Sequence, residues 1–209
     1  MQKMSKKILK KRPNHVKKRM KLLEEEYSEI YKGLQVAKHD YHSFVLSTLR
    51  DNIPQSRTVI LRSFDKSVGK ITFHSDIRSE KINDIKSNKN ISALFYSKSR
   101  KTQIRVNGYA LIEYENDNTK DTWDMMKPES KICYMGFYPP SKKMKLFDPN
   151  LPNISPYEID DFHNSLGYKN FCKVTISFNN LEILKLNYKG HKRIKYIFKE
   201  ELRAEWIAP

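Results

Sequence analysis

The sequence predicts a mainly β protein with short flanking helices, in which antiparallel strands form a closed or half-closed barrel. Segments such as "FCKVTISF" place apolar residues at alternate positions, which is typical of strands with one buried face. The helical patterns between such segments are short, and the chain lacks the repeated strand-helix-strand order of a parallel sheet. These two observations favour an antiparallel barrel.

The N-terminal segment "MQKMSKKILKKRPNHVKKRMK" is strongly basic and contains few bulky apolar residues. This composition predicts disorder or a solvated helix, with a nucleic-acid-binding arm as the alternative. We therefore expect a basic extension over residues 1–25 and a single domain over residues 26–209. Helical spacing of apolar residues, repeated through Val36, Phe44 and Leu46, predicts one or two helices before the β core.

The β core is predicted to begin with a hairpin. "RTVILR" at 57–62 and "ITFHSD" at 71–76 read as strands joined by a polar turn. A short helix should follow, with Ser79 as its N-cap and Ile82 and Ile85 on its buried face. "ISALFYS" is apolar enough for a central strand, and Gly108 should form a bulge in the next strand, "TQIRVNGYALIEY".

Two helices and three strands are predicted in the second half. "NTKDTWDMMKP" should begin on an Asn or Thr cap and end before Pro128. "SPYEIDDFHNSLG" should form a helix capped by Ser155 and ended by Gly167. "FCKVTISF", "LEILKLN" and "RIKYIFK" then read as strands.

Charge and composition restrict the class of protein. Forty Lys and Arg against 24 Asp and Glu give a formal charge of +16, which favours an anionic partner: a phosphorylated cofactor, nucleic acid or an acidic membrane surface. The sequence contains no apolar run long enough to span a membrane and no secretory signal, so we expect a cytoplasmic protein without a membrane partner. Two cysteines cannot form a disulfide framework.

Common catalytic motifs are absent from the sequence. It contains no GxGxxG, GxxxxGK[ST], HExxH or GxSxG pattern, and His39 and His42 lack further ligands at metal-binding spacing. No metal site is expected. Cys133 and Cys172 are interpreted as buried thiols, because no base lies next to them in the sequence.

Basic residues at the ends of predicted strands and helices suggest a phosphate site. The hairpin and its following helix should bring together residues that are separated in sequence, namely Arg57, Arg62, Arg78, Lys81 and Arg105. Ser79 and the first N–H groups of the helix would add neutral donors and the positive end of the helix dipole. The alternative is that each arginine is simply solvated.

Several motifs together resemble a known family. "SRTVILRSFD", "ITFHSDIRSEK", "NKNISALFY", "TQIRVNGYA" and the C-terminal "KVTISFNNLEILKLN…HKRIKYIF…IAP" resemble, in order and spacing, the pyridoxamine 5'-phosphate oxidase-related proteins. The resemblance covers about residues 30–209. It implies an antiparallel six-stranded split β-barrel of Greek-key type that binds FMN, and a homodimer in which the neighbouring subunit completes each site.

The resemblance also implies which residues hold the flavin. Arg57, Val59, Leu61 and Arg62 should lie along the ring, His74 and Ser75 should reach the phosphate tail, and Ser79 and Lys81 should bind the phosphate. Gln103 should lie near the ring. Cofactor binding is thus expected for Arg57, Thr58, Val59, Leu61, Arg62, His74, Ser75, Arg78, Ser79, Lys81, Gln103 and Arg105.

Departures from the family pattern bear on the reaction. Glu80 stands where the family oxidases carry an arginine, and Arg78 is expected to supply that charge from two residues earlier. Leu184 replaces a tryptophan, and the segment "TWDMMKPESKICYMGFYPPSKKM" lacks the arginine and serine that hold the substrate phosphate. Lys127 and Arg193 remain as candidate substrate contacts. The sequence thus predicts an FMN-dependent oxidoreductase for a small molecule other than pyridoxamine 5'-phosphate. The alternatives are a non-catalytic module that binds FMN or another anion, and a basic nucleic-acid-binding protein, although nucleic acid is not the expected partner.

Overall fold

The computed structural model describes residues 12–209, with side chains described from residue 17. Five α-helices occur in this part of the chain: α1 Arg12–Gln35, α2 Glu80–Ser87, α3 Asp117–Asp124, α4 Pro128–Lys131 and α5 Asp161–Asn170. The strands are β1 Ser43–Arg50, β2 Ile53–Ile60, β3 Ser63–Asp65, β4 Lys70–Asp76, β5 Asn90–Ser97, β6 Thr102–Glu113, β7 Phe171–Lys185, β8 Lys192–Ile197 and β9 Arg203–Ile207. Short 3₁₀ helices span Asp40–His42 and Ile132–Tyr134.

The nine strands of the described region form one antiparallel sheet, with the order β2-β1-β5-β6-β7-β4-β3 and with β8 and β9 continuing from β7. The predicted split-barrel class is confirmed, although the sheet has more than six strands and is not closed by hydrogen bonds. Inward-facing residues of the strands and one face of α1 form the main core. No helix among the described residues is long and apolar enough to cross a membrane.

Helix α1 packs its apolar face on the sheet. Leu23, Tyr27 and Ile30 are separated by four and three residues, so they lie on one side of the helix, and all three are buried. Gly33 allows the helix to approach the 3₁₀ turn, because an added Cβ would lie 2.6 Å from the Tyr41 carbonyl oxygen. The helix continues through position 25, the predicted end of the basic extension; residues 1–11 lie outside the described region.

The expectation that Phe44 and Leu46 continue a helix was wrong. Both lie on β1, whose side chains alternate between the core and the outer face. The segment "SFVLSTLR" places Phe44, Leu46 and Thr48 two residues apart, which is the period of a strand. Its strand propensity and its pairing with two neighbours therefore override the helical pattern that precedes it.

The prediction that residues 57–62 and 71–76 form a hairpin with each other was wrong. The first of these segments lies mostly on β2, which pairs with β1 and aligns Arg57 with Leu46. The hairpin partner of β4 is the short strand β3. A backbone hydrogen bond of 2.8 Å from the N–H of Arg62 to the Thr72 carbonyl marks the point where the chain changes neighbours.

The helix predicted from Ser155 to Gly167 begins later and ends later. Residues 155–158 form a turn, in which the Glu158 N–H donates to the Ser155 carbonyl, and α5 is capped by Asp160, whose side chain accepts from the His163 N–H. Gly167 lies inside the helix and is buried. An added Cβ there would lie 2.7 Å from Cη2 of Trp123, so the glycine serves helix packing and not termination.

Other predicted elements need smaller changes. Helix α2 and its N-cap at Ser79 are confirmed, as is central β5. The sheet register does shift at Gly108, but the extra residue, Asn179, lies in β7 and not in β6 as predicted. Helix α3 starts two residues earlier than the sequence suggests, at a capping box between Asn116 and Thr119. "FCKVTISF" and "LEILKLN" belong largely to one 15-residue strand, β7.

Candidate functional site

The connection from β4 to α2 brings three predicted phosphate contacts together. Ser75 lies near the end of β4, Ser79 caps α2, and Lys81 lies in its first turn. The Lys81 ammonium donates to the hydroxyl oxygens of Ser75 and Ser79, each at 3.2 Å. Both serines are buried, so this cluster is part of the protein wall and not a set of solvated side chains.

The hydroxyl of Ser79 does not cap its helix. It donates to the Asp76 carbonyl at 2.8 Å and lies 3.1 Å from the Ser75 hydroxyl, and no side-chain hydrogen bond reaches the α2 backbone. The free N–H groups of the first turn therefore remain available to an anion at the positive end of the helix dipole. Behind Ser75, burial raises the pKa of the Cys172 thiol to about 12, and its Sγ donates to the Ser75 carbonyl. Cys133 is exposed, so its interpretation as a buried thiol was wrong.

The surroundings of Lys81 destabilise the charged form of its side chain. Burial lowers the pKa of its ammonium, and the positive charge of Arg57 lowers it further. Among the side chains from residue 17 onward, no carboxylate forms an ion pair with Lys81. A phosphate placed here would relieve both effects, because an anion stabilises the charged form of each group. The donors and charge of this cluster therefore fit the terminal phosphate of a cofactor.

Arg57 is held beside the cluster by a network that sequence reasoning missed. Its Nη1 donates to the Thr48 hydroxyl at 2.6 Å, and its Nη2 lies 3.5 Å from the carboxylate of Asp84. Asp84 is buried on α2 and also accepts from Thr48 and from Arg50 Nε, each at 2.8 Å. Burial acts to raise the pKa of Asp84, but these hydrogen bonds and the arginine charges lower it below its usual value.

A sequence signal for Asp84 did exist. It lies between Ile82 and Ile85 on α2, at a position where a charged residue on the buried side of a helix needs a partner. Identifying that partner required the pairing of β1 with β2 and the packing of α2 on β1.

Arg78 is already paired. Its guanidinium binds Asp76, with Nη2 2.7 Å from Oδ2, and donates to the carbonyl oxygens of Gly136 and Phe137. Arg78 therefore fastens the 136–137 segment beside the β4–α2 turn. Its charge is balanced by Asp76 in this structure, and the expectation that it supplies the charge absent at Glu80 stays a prediction.

The predicted ring contacts divide between two faces of the sheet. Arg57 and Val59 lie on the inner face of β2, and Leu61 is buried just after it, whereas Thr58 is exposed on the outer face. Arg62 is exposed, and its charge acts on His74. Burial lowers the pKa of His74 to about 4, with the charges of Arg62 and Lys173 as further causes. His74 is therefore neutral at physiological pH.

The remaining predicted contacts lie on the outer face of the sheet. Gln103 is aligned with Tyr96 and Leu184, and Arg105 with Leu94 and Glu182. Arg105 and Arg193 both bind the carboxylate of Glu182, and Lys195 lies 3.8 Å from it. Burial acts to raise the pKa of Glu182, and the two arginines lower it. Within one chain, Gln103 and Arg105 thus face away from the Lys81 cluster.

The candidate substrate residues are dispersed. Lys127 is exposed at the N-cap of α4, and Arg193 is engaged with Glu182. In the same region, Lys131 lies 5.4 Å from the Trp123 ring centroid and Lys142 lies 4.0 Å from that of Tyr138. These contacts do not form a paired phosphate clamp. The described residues also contain no cluster of His, Cys, Asp or Glu that could hold a metal ion.

Solved structures confirm the fold. An FMN-binding, pyridoxamine 5'-phosphate oxidase-related protein from Nostoc punctiforme is 21% identical with a TM-score of 0.66, over 88% of this chain and 94% of that chain. PhzG from Burkholderia lata, in complex with tetrahydrophenazine-1-carboxylic acid, is 16% identical with a TM-score of 0.66, over 91% of this chain and 92% of that chain. No curated protein matches the sequence.

A family model covers the part of the chain that contains the Lys81 cluster. Residues 24–113 match the model described as "Pyridoxamine 5'-phosphate oxidase, FMN-binding domain". This segment runs from α1 through β6 and includes Arg57, Ser75, Ser79 and Lys81. The resemblance seen in the sequence is confirmed over this segment, and its match to the model of an FMN-binding domain supports FMN as the cofactor.

Proposed function

We propose that this protein is an FMN-dependent oxidoreductase that acts on a small molecule other than pyridoxamine 5'-phosphate. The observation that carries the cofactor site is the Lys81 ammonium, which is held by two buried serine hydroxyls and has no carboxylate partner among the described residues. A single terminal phosphate satisfies this group. When bound, FMN supplies the hydride-accepting chemistry, and the protein supplies binding and orientation.

The division of the predicted contacts between two faces supports a homodimer. Ser75, Ser79, Lys81 and Arg57 would hold the phosphate in one subunit, with Val59, Leu61, Arg62 and His74 along the flavin. The outer-face residues Thr58, Gln103 and Arg105 would then contribute to the site of the neighbouring subunit, through an interface in which the same surface is used twice. Because Arg78 is paired with Asp76, we assign it to positioning the 136–137 segment beside the flavin.

The arrangement of cations argues against pyridoxamine 5'-phosphate as the preferred substrate. Strong discrimination for a phosphate requires several donors placed for it, and bidentate arginine contacts are the most effective. Arg193 shares the carboxylate of Glu182 with Arg105 and Lys195, so it is already engaged. Lys127 is solvent-exposed. PhzG, with the same fold, was solved with an organic acid of a different class, which is consistent with varied ligands on this scaffold.

The cofactor site is tested by reversing the charge of Lys81. We expect Lys81→Glu to lose FMN on purification, because a carboxylate would stand where the phosphate is bound. Lys86→Glu is the matched control, since Lys86 is exposed in the last turn of the same helix. Flavin content and the FMN dissociation constant are measured for both. Retention of FMN by Lys81→Glu at the affinity of the parent would refute the assigned phosphate site.

The catalytic part is tested by anaerobic mixing of the FMN-loaded protein with candidate amines and with reduced nicotinamides. Rapid loss of flavin absorbance, followed by recovery on admission of dioxygen, is the expected result for an oxidoreductase. Bound flavin that is not reduced by any donor would instead support the alternative of a non-catalytic FMN-binding module.

A further inference from the structure

A groove outside the flavin site combines unpaired cations with an exposed aromatic ring. It lies between α1, the end of β7 and the β8–β9 ribbon, and has a volume of about 330 Å³. We call it the lysine groove, and its lining residues are Lys18, Lys21, Leu22, Glu25, Lys185, Lys192 and Trp206. None of these residues belongs to the predicted flavin or substrate contacts.

The groove carries excess positive charge. Lys185 is neutralised by Glu26, at 2.9 Å, and by Glu25, at 3.4 Å. Lys18, Lys21 and Lys192 form no ion pair with any carboxylate among the described side chains. Four lysines against one glutamate, Glu25, leave the lining with a net positive charge, which favours an anionic ligand.

The floor of the groove suits a flat ring. Trp206 lies opposite Ile194 in the β8–β9 pair, and about 44% of its surface is exposed beside Leu22. Trp123, the other tryptophan of the chain, is fully buried. An indole left open in a concave site and surrounded by lysines matches the two elements of single-strand recognition, a stacking platform and a cationic path for the backbone.

We propose that the lysine groove binds single-stranded nucleic acid, with a base stacked on Trp206 and phosphates near Lys18, Lys21 and Lys192. The sequence on the N-terminal side supports a polymer as the ligand, because residues 1–21 contain ten Lys or Arg and no Asp or Glu. Lys18 and Lys21 belong to this run, so the positive charge of the groove continues along the chain. Such a charge distribution attracts a chain of phosphates more strongly than a single nucleotide.

A lipid surface is a weaker candidate for the same charges. Aromatic side chains that enter a bilayer interface stand on a convex or flat surface beside other exposed apolar groups. Trp206 instead lines a cavity with lysines around it. The proposal therefore commits to nucleic acid, and anionic vesicles become a competing outcome of the test.

The test compares two oligomers of equal length and charge. The FMN-loaded full chain is titrated into a fluorescently labelled ten-nucleotide thymidine oligomer and into an abasic oligomer with the same number of phosphates, and anisotropy gives both affinities. We expect the thymidine oligomer to bind at least about 5-fold more tightly than the abasic oligomer, because at least one base stacks on the indole. With about three phosphate contacts, the logarithm of the affinity should fall with the logarithm of salt concentration with a slope of about −2.

Variants assign the two contributions. Trp206→Ala should remove the preference for bases and leave abasic binding within about 2-fold, while Trp206→Phe should restore part of the preference. The double variant Lys18→Glu/Lys21→Glu should weaken both oligomers about 10-fold or more, and Lys86→Glu/Lys89→Glu on the exposed surface of α2 and its following turn should not. Retained FMN and an unchanged circular dichroism spectrum confirm that each variant is folded.

Three results would overturn the proposal. These are equal affinity for the two oligomers, a base preference that survives Trp206→Ala, and binding to phosphatidylglycerol vesicles without binding to either oligomer.

Discussion

The network around Asp84 makes a quantitative prediction about FMN affinity. In Asp84→Asn, the shape of the side chain is kept, but its charge and one acceptor oxygen are lost. Arg57 then keeps only its hydrogen bond to Thr48, which itself loses the 2.8 Å contact to Asp84. We expect Arg57 to become mobile in the free protein, so that FMN binding must order it again.

The size of the effect follows from the groups involved. Ordering one long side chain on binding costs about 0.5–1.5 kcal/mol, which corresponds to about 2- to 10-fold weaker binding. The loss of the charge also leaves Arg50 and Arg57 without their shared buried partner, and we expect the free energy of unfolding to fall by about 1–3 kcal/mol. Because the native state lowers the pKa of Asp84, its contribution to stability is present at neutral pH and disappears as the pH falls through that lowered pKa.

The assay is a double-mutant cycle with FMN titration of the apoprotein, followed by flavin fluorescence. If Asp84 acts through Arg57, Asp84→Asn weakens FMN in the parent but changes the affinity by less than about 2-fold in Arg57→Gln. Glu80→Gln is the matched control, because Glu80 contacts Arg50 at 2.9 Å but not Arg57. Tighter FMN binding in Asp84→Asn, or an equal loss in both backgrounds, would refute the positioning role.

Four further outcomes are expected. Gly167→Ala should lower the free energy of unfolding by about 1 kcal/mol in urea, because its Cβ would meet Trp123 at 2.7 Å, whereas the exposed Ser165→Ala should not. Between pH 6.5 and about 4, His74 binds a proton only in the unfolded chain. The free energy of unfolding of the apoprotein should therefore fall as the pH is lowered, by up to about 3 kcal/mol more than in His74→Gln. The same pH dependence in both proteins would contradict this. Light scattering of the FMN-loaded protein at micromolar concentration should give a dimer mass, and a flavin-bound monomer would contradict the shared site. The kcat/KM for pyridoxamine 5'-phosphate should lie below about 10⁴ M⁻¹s⁻¹, the lower end of ordinary enzyme efficiency, and a higher value would show that the dispersed lysines suffice.

Local chemistry was readable from the sequence where a short segment determines its own structure. Ser79 before the Ile82 and Ile85 stripe predicts α2, and Gly108 in an alternating run predicts the irregularity in the sheet, although the extra residue lies on the neighbouring strand β7. Ser79 and Lys81 were predicted as phosphate contacts from the basic helix start, and the family resemblance added Ser75; all three lie within six positions of one another in sequence. Such features depend on helix caps, turns and the spacing of apolar residues, which act over a few residues.

Features that depend on distant partners were missed. From sequence, the pairing of β2 with β1 could not be distinguished from a hairpin of β2 with β4, because β1 and β4 both have the alternating pattern of a strand. Asp160, and not Ser155, caps α5, because the helix must place Gly167 against Trp123, a residue 44 positions earlier. The role of Asp84 likewise depends on residues from two strands and a helix.

The long strand β7 has a consequence for synthesis of the protein. Its first half pairs with β4, its second half pairs with β8, and β6 runs along nearly all of it. The partner of Lys70 is Ser177, so β4 has no β7 neighbour until more than a hundred further residues have been translated. Until then, the edge of β4 that pairs with β7 has no strand to bond with, and an unpaired edge favours aggregation or chaperone binding. Any truncation that removes β7 would leave β4 in this state permanently.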